Sequence, residues 1–218
     1  MVTGRQAWVD WEWVAGHRPL ILDLLREHVE LTTLAVAIGI AVSLPLALAA
    51  RRWPRLYPPV LTAAGVVYAI PSLALFALLL PWTGLSRTTA LIGLVGYTLL
   101  ILVRNIVAGL DGVPAEVREA AQGLGYRRAR RLARIELPLA LPAIVAGVRI
   151  ATVTTIGLVT VAALIGHGGL GQLILDGLNR DFRTPLVVGS ALSVAMAAVA
   201  DIALLVVQRR LTPWTARG

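Results

Sequence analysis

Residues Glu119–Pro138 read EAAQGLGYRRARRLARIELP and form the most polar stretch of a chain that is otherwise very apolar. Just before this stretch, Pro114 can open a short helix, because a proline in the first turn gives up no hydrogen bond that the helix needs. Gly123 and Gly125 can end the helix, since glycine adopts the left-handed cap conformation without strain. We therefore predict a short helix followed by a glycine turn.

A second short helix is predicted after the glycine turn, with its positive charges on one face. Its arginines follow the i, i+3, i+4, i+7 spacing of a helix face, at Arg127, Arg130, Arg131 and Arg134. We expect Pro138 to close this helix, because a proline inside a helix removes a backbone hydrogen bond. The chain then returns to apolar sequence.

The composition indicates a membrane protein. The chain has 218 residues, of which 57% are hydrophobic and 15% charged, and its mean hydropathy is +0.78. A soluble domain normally has about 25% charged residues.

Cysteine is absent, which excludes disulfides and thiolate metal sites. The three histidines show no metal-ligand spacing, so we expect no metal site.

Hydrophobic runs predict an all-α, polytopic membrane protein with about five transmembrane helices. Each run is long enough to cross about 30 Å of hydrocarbon. The predicted spans are 31–50, 58–80, 88–110, 142–165 and 184–208. We expect a kink at Pro71-Ser72, since an intramembrane proline frees a backbone carbonyl. We interpret 81–84 as a turn and 166–183 as a polar, glycine-rich connection.

The chain is therefore divided into three parts. Residues 1–30 hold Trp8, Trp11 and Trp13, which favour a membrane interface, and they are interpreted as an interfacial N-terminal segment outside the cell. Residues 31–208 form the transmembrane domain, which includes a cytoplasmic loop at 111–138. Residues 209–218 form a cytoplasmic tail.

The distribution of arginine predicts the orientation. Loops 51–57 and 104–138 and the C-terminal tail carry far more arginine than acid, whereas the opposite side carries the two in similar numbers. Positive charge is retained on the cytoplasmic side, so the 111–138 loop and the C-terminus are predicted there and the N-terminus outside. Topology thus accounts for the net charge of +8, and we expect no nucleic-acid partner.

Three further features of the sequence bear on function. Gly166–Gly171 reads GHGGLG, which matches the dinucleotide-binding pattern, but that function needs a preceding strand; we interpret it as an external turn. The phosphate-binding pattern GxxxxGK[ST] is absent, so we expect no ATP binding by this chain. Arg149 and Asp201 lie inside predicted spans, where charges usually have partners, and we predict a structural ion pair between them.

The polar stretch resembles the EAA loop of bacterial ABC importer permeases. The matching residues are Glu119-Ala120-Ala121, Gly125 and Ile135-Glu136-Leu137-Pro138, with the spacing of that family. The resemblance implies a type I importer permease fold and a coupling helix that docks on a separate ATPase subunit. The residues implied in this coupling are Glu119, Ala120, Ala121, Gly125, Ile135, Leu137 and Pro138.

Other segments resemble the glycine betaine, carnitine and choline branch of these importers. They are Ala69–Leu75, Glu136–Pro142, Ala163–Gly166 and Gly168–Gly171. The resemblance implies a multi-pass permease of the bacterial inner membrane that moves a quaternary-amine osmoprotectant, proline betaine included, by alternating access. On this resemblance we expect the chain not to be an enzyme and to bind no cofactor itself, because ATP and Mg²⁺ would belong to the ATPase chain.

The same resemblance implies further partners. These are ABC ATPase subunits, a separate extracellular or periplasmic binding protein, and a second permease copy or a sister permease. Candidates for lining the path are Tyr68, Pro71, Ser72 and Asn105; an aromatic ring can hold a quaternary ammonium by cation–π contact. An importer for methionine or ergothioneine is an alternative, and a non-transport membrane scaffold is a further one.

Overall fold

The computed structural model describes residues 8–213, and no strand occurs among them. The helices are α1 (Trp11–Gly16), α2 (Arg18–Arg52), α3 (Tyr57–Ala69), α4 (Ser72–Thr83), α5 (Arg87–Asp111), α6 (Ala115–Gly123), α7 (Arg128–Arg131), α8 (Leu137–Val161), α9 (Leu170–Asn179) and α10 (Arg183–Leu211). Short 3-10 helices lie at Pro54–Leu56 and Ala162–Ile165, and a π-helical turn lies at Leu132–Glu136.

Within residues 8–213, four continuous helical stretches are long and apolar enough to cross a membrane. They are Arg18–Arg52, Arg87–Asp111, Arg128–Ile165 and Arg183–Leu211. A fifth crossing is possible if Pro54–Ala69 and Ser72–Thr83, which are bent by 99°, count as one broken span. The prediction of an all-α protein with about five spans is therefore confirmed.

The first membrane helix begins well before the hydrophobic run. α2 begins at Arg18, although the apolar sequence begins only at Leu31. The added turns contain leucine, arginine and glutamate, and all three residue types have high helix propensity whether they are apolar or charged. Hydropathy therefore predicted the apolar part of α2 and not its length. The division at residue 30 stays a prediction, and residues 1–7 and 214–218 of the terminal segments lie outside the described residues.

The second predicted span is interrupted rather than kinked. Pro71 has an extended backbone (φ −53°, ψ 135°) and immediately precedes α4. Proline also disfavours helical geometry in the residue before it, so α3 ends at Ala69. The turn predicted at 81–84 is displaced, because α4 continues through Pro81, ends at Thr83 and is capped by Gly84, whose φ is +64°.

Pro138 does not close a helix, and that prediction was wrong. It is the second residue of α8, which follows the π-helical turn without a break. Within this turn the Leu137 backbone N–H donates to the Leu132 carbonyl, five residues earlier. Proline is tolerated in the first turn of a helix, and π adjustments accommodate it in membrane helices. The chain from Arg128 to Ile165 is consequently one helical stretch.

The glycine-rich connection after α8 contains a helix that we did not predict. In α9, Leu170, Leu173, Ile174 and Leu178 follow helical spacing. Leu170 and Leu173 are buried in a small core with Ile21. Gly169 has φ +50°, and a Cβ there would lie 2.6 Å from the Cβ of His28, so only glycine fits. The GHGGLG sequence thus allows a tight turn and close packing of the backbone against His28.

The described chain forms two compact units, and each long membrane helix contributes to both. The first unit holds residues up to Ala35 together with Ile70–Val95 and Thr152–Val199. Its largest core consists of Leu31, Ala35, Phe76, Ala90, Leu94, Val159, Ala162 and Ile165.

The second unit holds Val36–Ala69, Gly96–Ala151 and the residues from Ala200 onward. Its core consists of Ala47, Leu102, Val103, Ile106, Val107, Leu110, Ala140 and Ala151. The EAA loop and all its contacts described below belong to this unit.

Candidate functional site

The EAA helix, α6, has well-defined ends. Pro114 precedes it with an extended backbone (φ −56°, ψ 143°). At its other end the Tyr126 N–H donates to the Ala121 carbonyl at 3.1 Å, and the Gly125 N–H donates to the Gln122 carbonyl at 2.9 Å. These two bonds form a Schellman cap, which requires the left-handed conformation that Gly125 adopts at φ +81°. Gly125 therefore ends the helix by its backbone geometry.

The EAA residues point in different directions. Glu119 and Ala120 are exposed, and Leu124, one turn after Ala120, is 78% exposed. Ala121 is buried and packs within the chain. Glu119 has no ion-pair partner in the described part of the chain. α6 thus presents a small, partly apolar face with a free carboxylate, and Ala121 holds the opposite side of the helix against its own unit.

The later motif residues lie where the loop rejoins the membrane helix. Ile135 is half-buried in the π-helical turn, and Leu137 packs against the core of the second unit. Pro138 is half-buried in the first turn of α8. These three residues anchor the loop, whereas Glu119 and Ala120 are on its surface.

The loop is held by an ion-pair cluster around the buried carboxylate of Glu136, which the sequence analysis did not predict. The Glu136 side chain is 2% exposed and accepts hydrogen bonds from Arg51 and from Arg131 Nε, the latter at 2.8 Å. Arg51 also donates to Asp111 Oδ1 at 3.2 Å and to the Leu110 carbonyl at 3.3 Å. We call Arg51, Asp111, Arg131 and Glu136 the Glu136 cluster. It joins the ends of α2 and α5 to α7 and the π-helical turn.

One signal could have revealed Glu136. It is the only acid between Glu119 and Asp176, and it directly follows the arginine-rich stretch. A lone carboxylate at the start of a membrane helix needs a cationic partner, since a buried charge is costly unless it is paired. Its partner Arg51 is distant in sequence, and a single sequence gives no means of finding such a partner.

The four path candidates belong to separate parts of the molecule. Tyr68 is 40% exposed and meets Tyr97 edge to face, with ring centroids 5.9 Å apart. Asn105 Nδ2 donates to the Ile101 carbonyl of its own helix at 2.8 Å. Tyr68 and Asn105 belong to the second unit, while Pro71 and Ser72 start α4 in the first unit. Their role in a path stays a prediction.

Arg149 and Asp201 are brought together by α8 and α10 within the second unit. Arg149 Nε donates to Asp201 Oδ1 and Nη2 to Oδ2, both at 2.9 Å, which is bidentate geometry. Gln208 extends the arrangement: it accepts from Arg149 Nη1 at 3.3 Å and donates to the Pro142 carbonyl at 3.1 Å. The pair thus links the two helices directly.

We predict that single charge reversals at this pair prevent stable folding in the membrane. Either Arg149→Asp or Asp201→Arg places two like charges side by side, and an unpaired charge at membrane depth costs about 3 kcal/mol. The folded yield after detergent extraction should fall at least tenfold for each single variant and recover in the double variant. Gln208→Ala is the control and should extract almost normally. Normal yields from both single variants would disprove a structural role for the pair.

Among residues 8–213 no three His, Asp or Glu side chains are grouped so that they could hold a metal ion.

Comparison with known proteins gives a consistent result. Residues 33–213 match the family described as the binding-protein-dependent transport system inner membrane component. The choline transport system permease protein of Bacillus subtilis (strain 168) is 35% identical over 188 residues, which cover 86% of each chain. The osmoprotectant import permease protein of Salmonella typhimurium is 38% identical over 198 residues, which cover 88% of this chain and 92% of that protein.

Solved structures agree on the fold. The permease chain in an inward-facing crystal form of the MetNI methionine ABC transporter superposes with a TM-score of 0.79 at 20% identity. The superposition covers 90% of the present chain and 98% of the methionine transporter chain. This likeness is evidence for a shared architecture.

Proposed function

The chain belongs to the family of binding-protein-dependent transport system inner membrane components, and from this premise we propose that its cargo is a quaternary-amine osmoprotectant. It is a multi-pass inner-membrane protein and the permease subunit of an ABC importer. It is not an enzyme itself; the ATPase is a separate chain. The permease works with that ATPase and with a substrate-binding protein.

The observation that carries the cargo proposal is the similarity to osmoprotectant permeases along most of the chain. The Bacillus subtilis relatives at 35% identity are named for choline and for glycine betaine, carnitine and choline, and the Salmonella typhimurium relative is named for osmoprotectants. The similarity to the methionine transporter is at 20% identity and supports the fold alone. Glycine betaine, carnitine, choline or proline betaine is therefore favoured over methionine or ergothioneine.

The exposed face of α6 is proposed as the surface that docks on the ATPase. Glu119 offers a free carboxylate there, and Ala120 allows close approach of another backbone. The Schellman cap at Gly125 gives the helix a sharp end, and the Glu136 cluster fastens the loop to α2 and α5. A rigidly mounted helix can transmit the closure of the ATPase subunits to the membrane helices. ATP and Mg²⁺ are proposed to bind only on those subunits.

The distribution of charge supports our proposal for the arrangement in the membrane. We place the EAA loop and the C-terminus in the cytoplasm and the N-terminus outside, because arginine is concentrated on the side of the loop. Alternating access needs a path enclosed by two permease subunits, so we propose a homodimer or a pair with a sister permease. Tyr68 is a candidate for contact with the trimethylammonium group.

Uptake of labelled glycine betaine tests the cargo. The permease is expressed with its ATPase and binding protein in a host that lacks betaine importers. Uptake should require all three components and should be blocked by unlabelled choline, carnitine or proline betaine, but not by methionine. As a control, Glu119→Gln should reduce uptake without lowering the amount of permease in the membrane. Competition by methionine or ergothioneine alone would contradict the osmoprotectant proposal and leave the importer assignment intact.

A further inference from the structure

A cavity lined mainly by arginine lies beside the EAA loop in the second unit. Its volume is about 590 Å³, and it is lined by Leu48, Arg51, Arg52, Arg118, Arg128, Ala129, Arg131, Leu132 and Glu136. The lining contains five arginines and one carboxylate, so the positive charge is far from balanced. Like charges placed around one cavity repel each other, and an anion bound among them would reduce that repulsion.

The arginines of the cavity fall into two groups. Arg51 and Arg131 are engaged with Glu136 in the Glu136 cluster. Arg52, Arg118 and Arg128 have no acidic partner in the described part of the chain. The neighbouring Arg130 lies over the Tyr126 ring, 5.2 Å from its centroid, and does not line the cavity. Three guanidinium groups are therefore available to a ligand, and Glu136, the one carboxylate among the residues that line the cavity, is already paired with Arg51 and Arg131.

The position of the cavity indicates the depth at which its ligand lies. Arg51 and Arg52 directly follow the uncharged run of residues 31–50, which is long enough to cross the hydrocarbon core. The two arginines therefore lie at the level of the lipid headgroups. Leu48 lies one turn deeper in α2, and with Leu132 it gives the cavity an apolar part. A ligand with a charged head and an apolar body matches both parts.

We propose that this cavity binds the phosphate group of an anionic membrane lipid, with phosphatidylglycerol as the simplest example. Guanidinium groups bind phosphate oxygens in bidentate geometry, and basic pockets between membrane helices on the cytoplasmic side are suited to acidic headgroups. The headgroup bridges Arg52 at the end of α2, Arg118 in α6 and Arg128 in α7. Lipid binding therefore supports the EAA loop and is a property separate from the choice of cargo.

Free phosphate and an acidic segment of the ATPase are the competing ligands. Free phosphate shares the charge of the headgroup but makes no use of Leu48 and Leu132. An acidic protein segment would occupy the cavity only when the ATPase is bound. The test is therefore done on the full-length permease without its ATPase and includes inorganic phosphate.

Native mass spectrometry of the purified full-length chain in a mild detergent measures the binding. The chain is titrated with phosphatidylglycerol or with phosphatidylcholine, whose headgroup has no net charge. We expect one phosphatidylglycerol per chain, with little phosphatidylcholine at equal concentration. Arg52→Gln/Arg128→Gln should weaken phosphatidylglycerol binding by roughly tenfold or more, since each basic residue near a headgroup contributes appreciably. Binding by the unchanged chain should also weaken as salt is added.

The matched control is Arg209→Gln/Arg210→Gln. It removes the same charge at the end of α10, where the arginines are exposed and do not line the cavity. Gel filtration and circular dichroism establish that both double variants are folded; if the cavity variant is not, the salt titration of the unchanged chain decides.

Three outcomes would overturn the proposal. The first is equal loss of lipid binding in the two variants, and the second is binding that does not respond to salt. The third is displacement of the lipid by inorganic phosphate at a similar concentration, which would assign the cavity to free phosphate.

Discussion

Replacing Ala120 with arginine should reduce glycine betaine uptake to the background of cells that lack the permease, while the chain still inserts into the membrane. Ala120 is exposed on α6, so its replacement disturbs no internal packing. On the proposed docking face, however, the new side chain separates two surfaces and buries an unpaired charge. Breaking such a contact costs at least about 3 kcal/mol, which corresponds to more than a hundredfold weaker binding of the ATPase.

Uptake, membrane quantity and co-purification of the ATPase are measured together for this variant. Ala120→Ser is the matched control, because serine is nearly as small as alanine and should retain most of the uptake. If Ala120→Arg still co-purifies with the ATPase and transports normally, α6 does not dock through this face. Loss of uptake with the ATPase still bound would likewise contradict docking as the cause.

Replacing Glu136 with glutamine should destabilise the permease more than any other single neutralisation in the loop. The Glu136 carboxylate is 2% exposed and contacts both Arg51 and Arg131. Without it Arg131 loses its carboxylate partner and Arg51 keeps only the exposed Asp111, and loss of one partner from a buried ion pair costs about 3–5 kcal/mol. The midpoint of thermal unfolding in detergent should fall by roughly 10 °C.

Asp111→Asn provides a matched control for this prediction. Asp111 also pairs with Arg51, at 3.2 Å, but its side chain is 60% exposed. An exposed ion pair contributes at most about 1 kcal/mol, so the unfolding midpoint should change little. Similar midpoints for the two variants would show that the burial of Glu136 does not govern the stability of the loop.

The sequence predicted the membrane helices well where hydropathy alone determines them. α5 and α10 have almost the bounds that their apolar runs indicate, since a hydrophobic run of sufficient length must cross the bilayer as a helix. α2 was underestimated, because polar residues with high helix propensity continue it beyond the hydrocarbon. Hydropathy describes what the lipid requires and carries no information on where a helix ends in water.

For the loop, the sequence predicted the end of α6 correctly but not the role of Pro138 or the Glu136 cluster. The end of α6 at Gly125 was predictable, because a left-handed cap depends on one residue and its neighbours. Pro138 was misjudged, since the effect of a proline depends on the preceding turn, and a π-helical turn has no sequence signature of its own. The Glu136 cluster was missed because it joins residues up to 85 positions apart.

The π-helical turn at Leu132–Glu136 also determines the angular phase between the loop and α8. Each residue of an α-helix advances by about 100° around the axis, so one additional residue in a single turn shifts everything on its N-terminal side by that angle. Deleting one residue from this turn would rewind it into regular α-helix and rotate Arg131 away from Glu136. The EAA helix would turn by the same angle. The direction in which Ala120 faces therefore depends on the one additional residue in Leu132–Glu136.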